Sequence, residues 1–253
     1  MTKLYLRGHP LSAQAIVFDK DGTLADSHAF LWQLACLRID LCANLLRSQG
    51  TELTTDQVQT LRSSLGVGAS KLDPEGLMAT APRLANQQAV VNWLLEAAYP
   101  EEGVVDRVAE CFQRAERQLW PKAHYTPPFP GTPALLEHLA QGGVPVGVLS
   151  SDSQANVEAF LTHYRMGGYV QAWRGTEGGE RPKPSPSLFY QLCHQLGVEP
   201  CHTLVVGDSR VDYDMAQQGG AAGFISVSSA WGRPAVVGAE WVVYAWQDLQ
   251  VKP

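Results

Sequence analysis

The sequence predicts an α/β protein: a parallel sheet core with helices on both faces, interrupted after its first strand by an all-helical insertion. Three observations carry this expectation. A short apolar run, Ala15–Phe18, ends in acidic residues and a glycine. About a hundred residues of helical periodicity follow it. From Thr132 onward helix and strand patterns alternate, the rhythm of parallel strands joined by helical crossovers. A chain of 253 residues, 45% of them hydrophobic, is long enough for one large α/β domain or a core with a smaller companion.

Read in order, residues 15–18 form a strand that stops where the carboxylates begin, so Asp19 and Asp21 project from the carboxyl edge of the sheet, the usual ligand edge of open α/β folds. Residues 28–49 carry Phe30, Leu31, Leu34, Leu37, Leu41, Leu45 and Leu46 at three- and four-residue spacings, with Gly50 as a C-cap, which describes a long amphipathic helix. Thr54 or Thr55 caps a helix running to Leu65. Residues 66–82 read as a loop or broken helix, 86–98 as a helix ended by Pro100, and 104–120 as a fourth helix. The proline-rich stretch 125–133, YTPPFPGTP, is a linker. Beyond it, 132–141 is helical, 145–149 a strand, 156–164 a helix, 186–196 a helix, 203–206 a strand, 213–218 a helix and 224–227 a strand, with 241–244 a final strand. Tryptophans gather late in the chain, among them Trp173, Trp231, Trp241 and Trp246, and core packing or self-association accounts for them.

Two carboxylates one residue apart repel each other in a partly dry cleft, so Asp19 and Asp21 imply a raised pKa on one of them or a cation between them. Both suit phosphoryl transfer: one carboxylate attacks phosphorus, the other handles the proton, and Mg²⁺ neutralises the phosphate. A helix cap, a turn or a calcium loop is the alternative for Asp-x-Asp-Gly.

Further strand ends add to this. The strand at 145–149 stops at Ser150 and Ser151, followed by Asp152 and Ser153; hydroxyls there donate to phosphate oxygens, or simply cap a helix. Lys183 is fixed between Pro182 and Pro184, placed to neutralise a phosphate and keep a carboxylate ionised, or else a solvated loop charge. The strand at 203–206 stops at Gly207 and Asp208, with Asp212 one helical turn later, a potential metal ligand or a support for Asp208.

A formal charge of −6 without a long basic run argues against nucleic-acid binding. Five scattered cysteines with no Cys-x-x-Cys pair fit a reducing compartment. The start, MTKLYLRGHPLSAQ, carries no apolar stretch of signal-peptide length, so a cytoplasmic protein without a membrane partner, monomer or homodimer, is expected.

The ordered set DKDGTLADS, LSS, RPKPSP and VGDSRVD resembles the haloacid dehalogenase superfamily, in particular its phosphoglycolate phosphatase-like branch. The resemblance implies a Rossmann-like catalytic core at 1–26 and 128–253, with an α-helical cap at 27–127. It implies Asp19 as the nucleophile that becomes phosphorylated and Asp21 as general acid/base. It further implies Ser150 or Ser151 and Lys183 as phosphate contacts, and a Mg²⁺ held by the Asp19 carboxylate, the Asp21 main-chain carbonyl and Asp208. Asp212, Gly22 and Thr23 would support the site, and Lys71, Arg83, His28 and His124 are candidate cap contacts. The substrate implied is a small phosphomonoester such as phosphoglycolate. Asp21 argues against the carbon–halogen and phosphonate chemistries of the same superfamily. A phosphosugar mutase of the β-phosphoglucomutase type keeps the same motifs and is the alternative enzyme. A non-catalytic binding or scaffold member is the alternative of another class.

Overall fold

A computed structural model describes residues 3–50, 53–73, 75–228 and 234–252; Trp231 lies outside them. In chain order, strands β1 (Lys3–Leu6), β2 (His9–Leu11) and β3 (Ala15–Phe18) precede helices α1 (His28–Ser48), α2 (Thr55–Ser64), α3 (Leu77–Thr80), α4 (Arg83–Glu96) and α5 (Val104–Gln118). Then come α6 (Thr132–Gln141), β4 (Val146–Leu149), α7 (Gln154–His163), β5 (Ala172–Arg174), α8 (Ser187–Leu196), β6 (Thr203–Gly207), α9 (Arg210–Gln218), β7 (Gly223–Val227), β8 (Trp241–Val243) and β9 (Leu249–Lys252). The chain divides into two compact units, Met1–Asp26 with Thr126–Pro253, and Ser27–Tyr125.

The first unit is built on a six-stranded sheet in the order β5-β4-β3-β6-β7-β8, with every pairing parallel. Parallel strands covered on both faces need apolar residues throughout, and β3, β4, β6 and β7 are buried at every position. One face packs Ile16, Phe18, Val146, Val148, Leu204 and Val206 with Leu135, Leu136, Leu139, Phe160 and Leu161. The other packs Val17, Leu149 and Val205 with Leu188, Phe189, Leu192 and Met215. This sheet begins at β3, builds outward to β4 and β5, then crosses back to β6. The order therefore reverses between β3 and β6, the place where open α/β sheets leave a crevice at the strands' carboxyl ends.

A second sheet, β2-β1-β9, was not foreseen. It is antiparallel and joins the start of the chain to its end, with Leu6 opposite Leu249; Arg7 clasps Asp248 at 2.8 Å. The three-residue edge strand β5, which includes Trp173, was also unforeseen. Trp246 is buried, its indole N–H donating to Thr132 Oγ1 at 3.0 Å, as a core tryptophan with a polar handle requires.

The second unit is helical. Thr54 starts α2 through a reciprocal capping box with Gln57. Residues 66–82, read as a loop or broken helix, form a Val67–Leu72 bridge followed by the short α3. Helix α1 is long and apolar enough to cross a membrane by length and composition, yet Ala35, Ile39, Cys42, Ala43 and Leu46 on it belong to the unit's own core with Val90, Leu94, Val108 and Phe112. Arg38 is buried in that unit, its guanidinium 4.2 Å from the Phe112 ring and 2.8 Å from Glu116.

Candidate active site

Asp19 follows β3 directly, and its N–H still donates to Val206 O at 2.8 Å, so the β3–β6 pairing runs up to the first carboxylate. The chain then turns back: Lys20 O accepts from the N–H groups of Leu24 and Ala25 at 2.9 and 2.8 Å. Gly22 makes this turn with φ of 90°, a conformation open to glycine at little cost. A Cβ there would run into the Asp208 carboxylate. The glycine thus lets the turn after β3 approach the end of β6.

At that meeting point lie Asp19, Asp208 and Asp212, all buried, with ligand atoms within 4.8 Å of one another. Lys183 binds two of them, Asp19 and Asp212, from the side. Its Nζ donates to Asp19 Oδ1 at 2.5 Å, Asp212 Oδ1 at 2.6 Å and Leu149 O at 3.2 Å, which uses all three ammonium donors. Asp212 is fixed from its other oxygen by Ser209, whose Oγ donates to Oδ2 at 2.5 Å and accepts from the Asp212 N–H at 3.3 Å while capping α9. Gly207 leaves room for Asp212, since a Cβ would lie 2.6 Å from Asp212 Cβ.

One ammonium against three buried carboxylates leaves a formal deficit of two charges if all are ionised. Burial is the main cause that lifts the Asp19 carboxyl to about 8; Lys183 opposes the rise, while Asp212 and Asp208 add to it. Burial also works against the Lys183 ammonium, but Asp19 and Asp212 outweigh it and hold its pKa above the ordinary lysine value. Hard oxygen donors, converging and short of positive charge, fit a divalent cation such as Mg²⁺.

The Asp21 carboxylate is not a member of that three-carboxylate cluster. Its Oδ2 lies 2.7 Å from the Nζ of Lys20, which also lies 3.1 Å from Asp152 Oδ2. Ser150 is buried at the end of β4, and its Oγ accepts from the Asp152 N–H at 3.1 Å; Ser151 is exposed. Thr23 is fully buried, its hydroxyl without a protein partner among the described residues.

Lys20, Asp152 and Ser209 were not singled out from sequence as site residues. The signal for Lys20 was its place between the two aspartates; a lone lysine in a motif does not announce that it is buried. Of the candidates in the helical unit, Lys71 is exposed and Arg83 is paired with Glu116 at 3.1 Å. His28 Nε2 accepts from the Leu72 N–H at 3.4 Å, and His124 is exposed.

Residues 13–220 match the model of the haloacid dehalogenase-like hydrolase family. The chain is 27% identical over 207 residues to a phosphoglycolate phosphatase of Pseudomonas syringae pv. tomato, covering 82% of this chain and 66% of the relative. It is also 27% identical to a phosphoglycolate phosphatase of Neisseria meningitidis over 87% of this chain and 81% of that one. The chain thus spans slightly under two thirds of the length of the Pseudomonas relative. Among solved structures, a predicted phosphoglycolate phosphatase from Haemophilus somnus shares the fold with a TM-score of 0.65 at 22% identity, covering 94% of this chain and 96% of the other. The chain belongs to the haloacid dehalogenase-like hydrolase family.

Proposed function

We propose that this protein is a Mg²⁺-dependent phosphatase that hydrolyses a small phosphomonoester through a phosphorylated Asp19. The observation that carries this reading is the convergence of Asp19, Asp208, Asp212 and Lys183 at the reversal point of a parallel sheet. Asp19 is the nucleophile because it ends the strand at the centre of this cluster, with Lys183 holding one oxygen and orienting the other. Asp19 and Asp208, with the main-chain carbonyl of Asp21, would hold the Mg²⁺, with Asp212 as their acidic neighbour; when bound, the ion supplies charge neutralisation to the phosphate oxygens.

In the first half-reaction an Asp19 oxygen bonds to phosphorus, the ester P–O bond breaks, and the leaving oxygen takes a proton from the Asp21 carboxylic acid. In the second, the Asp21 carboxylate takes a proton from water as the water oxygen bonds to phosphorus. The bond to Asp19 breaks, phosphate leaves and both aspartates return to their starting states. Ser150 is the better phosphate contact of the two serines, since its oxygen accepts from Asp152 and its own proton remains to donate.

The helical unit is read as the cap that selects the rest of the substrate. Relatives named phosphoglycolate phosphatase support a small phosphorylated acid as that substrate. Intact acidic and basic motifs favour an enzyme over a scaffold, and five free cysteines suit the cytoplasm. A screen of phosphorylated metabolites with and without Mg²⁺, beside Asp19→Asn, tests the reading. Hydrolysis that needs both the metal and Asp19 is expected; hydrolysis that survives either loss contradicts it.

A further inference from the structure

Lys20 is among the largest fully buried side chains of the protein, at 1% exposure. A buried ammonium is costly unless paired, and Lys20 has two carboxylates, Asp21 at 2.7 Å and Asp152 at 3.1 Å, with the Phe160 ring 5.7 Å away. Asp152 is itself immobilised. Its Oδ1 accepts from the Ser153 N–H at 2.9 Å and from Asn156 Nδ2 at 2.7 Å, and its N–H donates to Ser150 Oγ. Ser153 in turn caps α7 by accepting from the Asn156 N–H. A continuous polar chain therefore runs from the first turn of α7, through Asp152 and Lys20, to the carboxylate of Asp21.

Packing alone does not call for this charge. An apolar side chain of similar length would fill the space beside Phe160 at no greater cost, because well-packed hydrophobic replacements of buried ion pairs are often neutral or stabilising. What a hydrophobic residue cannot do is hold Asp21. We infer that Lys20 is a positioning residue: anchored on Asp152, it fixes the Asp21 carboxylate beside the Ser150 end of β4 and apart from the Asp19–Asp208–Asp212 cluster. This rests on the reading of Asp21 as the acid/base. The same tether ties the group that protonates the leaving oxygen to the loop that holds the phosphate, so the two keep their spacing.

A positioned acid matters most when the leaving group is poor, which separates this role from a structural one. The test compares kcat/KM for phenyl phosphate, a poor leaving group, with p-nitrophenyl phosphate, a good one, in wild type, Lys20→Met, Asp152→Asn and Asp21→Asn. For Lys20→Met, phenyl phosphate is expected to fall about 30-fold or more and p-nitrophenyl phosphate by less than about threefold, in the range of a lost proton-transfer contribution. Asp152→Asn, which keeps its acceptor for Ser153 and Asn156, is expected to shift the ratio in the same direction by a smaller factor, and decides the matter alone if Lys20→Met does not fold. Equal losses on both esters, or none, in folded variants would overturn the inference. An Asp21→Asn enzyme as active as wild type on both esters would instead overturn the underlying reading of Asp21.

Discussion

The Lys183 ammonium donates to Asp19 at 2.5 Å although 164 residues of chain separate them. That contact sets the electrostatics of the site. Lys183 also serves Asp212 at 2.6 Å, so neither carboxylate has the cation to itself.

Lys183→Met removes the only cation bonded to Asp19 among the described residues and leaves three buried carboxylates facing one another. Hydrolysis is expected to fall by about 100-fold or more, since stabilisation of transition-state charge is usually the largest catalytic contribution. Breaking a buried pair costs up to about 3–5 kcal/mol. The loss of Tm should be smaller at about pH 5 than at about pH 8, because the carboxyls can then relieve their repulsion by taking protons. Chelator-treated thermal melts at the two pH values check this.

Asp19 makes the metal-free protein sensitive to pH in a definite direction. Its carboxyl is raised from 3.8 to about 8, first by burial, so the folded state keeps a proton that the unfolded chain gives up. The favourable contribution is complete below about pH 4 and is lost as pH rises through about 8. With chelator present, Tm should decline across that window. Asp19→Asn, which cannot ionise, should flatten the decline and melt higher than wild type at about pH 8, while abolishing hydrolysis. A variant that melts lower at that pH would mean that the Lys183 contact outweighs the cost of burial.

Mg²⁺ should reverse the same cost. A ligand present at a hundred times its Kd stabilises the folded state by about 2.7 kcal/mol, and protons on Asp19 compete with the metal. The Mg²⁺-induced rise in Tm should therefore be larger at about pH 8 than at about pH 5. It should disappear in Asp208→Asn if Asp208 is a ligand.

Gly22→Ala tests the close approach of two strand ends. The position combines φ of 90° with a Cβ directed into the Asp208 carboxylate. Backbone strain of this kind costs about 1–3 kcal/mol, and a shift of about 1 Å at a reacting group can cost about 100-fold in rate. Kinetics and thermal melts of the variant should show both losses; a variant with wild-type kcat would mean that Asp208 can move without consequence.

The sheet was legible because β3, β4, β6 and β7 are short runs in which Thr203 and Ser226 are the only polar residues, a composition that two-sided burial demands. The β2-β1-β9 sheet was not, because its strands are three or four residues long and β1 pairs β9 across some 240 residues, a match that no local pattern announces. β5 has three residues at the sheet edge, too few for periodicity. At the site, residue types at strand ends could be read because parallel topology collects those ends on one edge. Partner choice could not: that Lys20 turns inward to Asp21 and Asp152, or that Ser209 serves Asp212 twice, depends on side-chain conformation within the folded crevice.

The most direct test of the central claim is to trap the nucleophile. Wild-type protein turning over p-nitrophenyl phosphate with Mg²⁺ is quenched in acid, reduced with borohydride and digested, and its peptides are analysed by mass spectrometry. An acyl phosphate on Asp19 would be reduced to homoserine at that position, in a substrate-dependent manner and absent from Asp19→Asn. Reduction at another carboxylate, or none during demonstrable turnover, would contradict the assignment of Asp19.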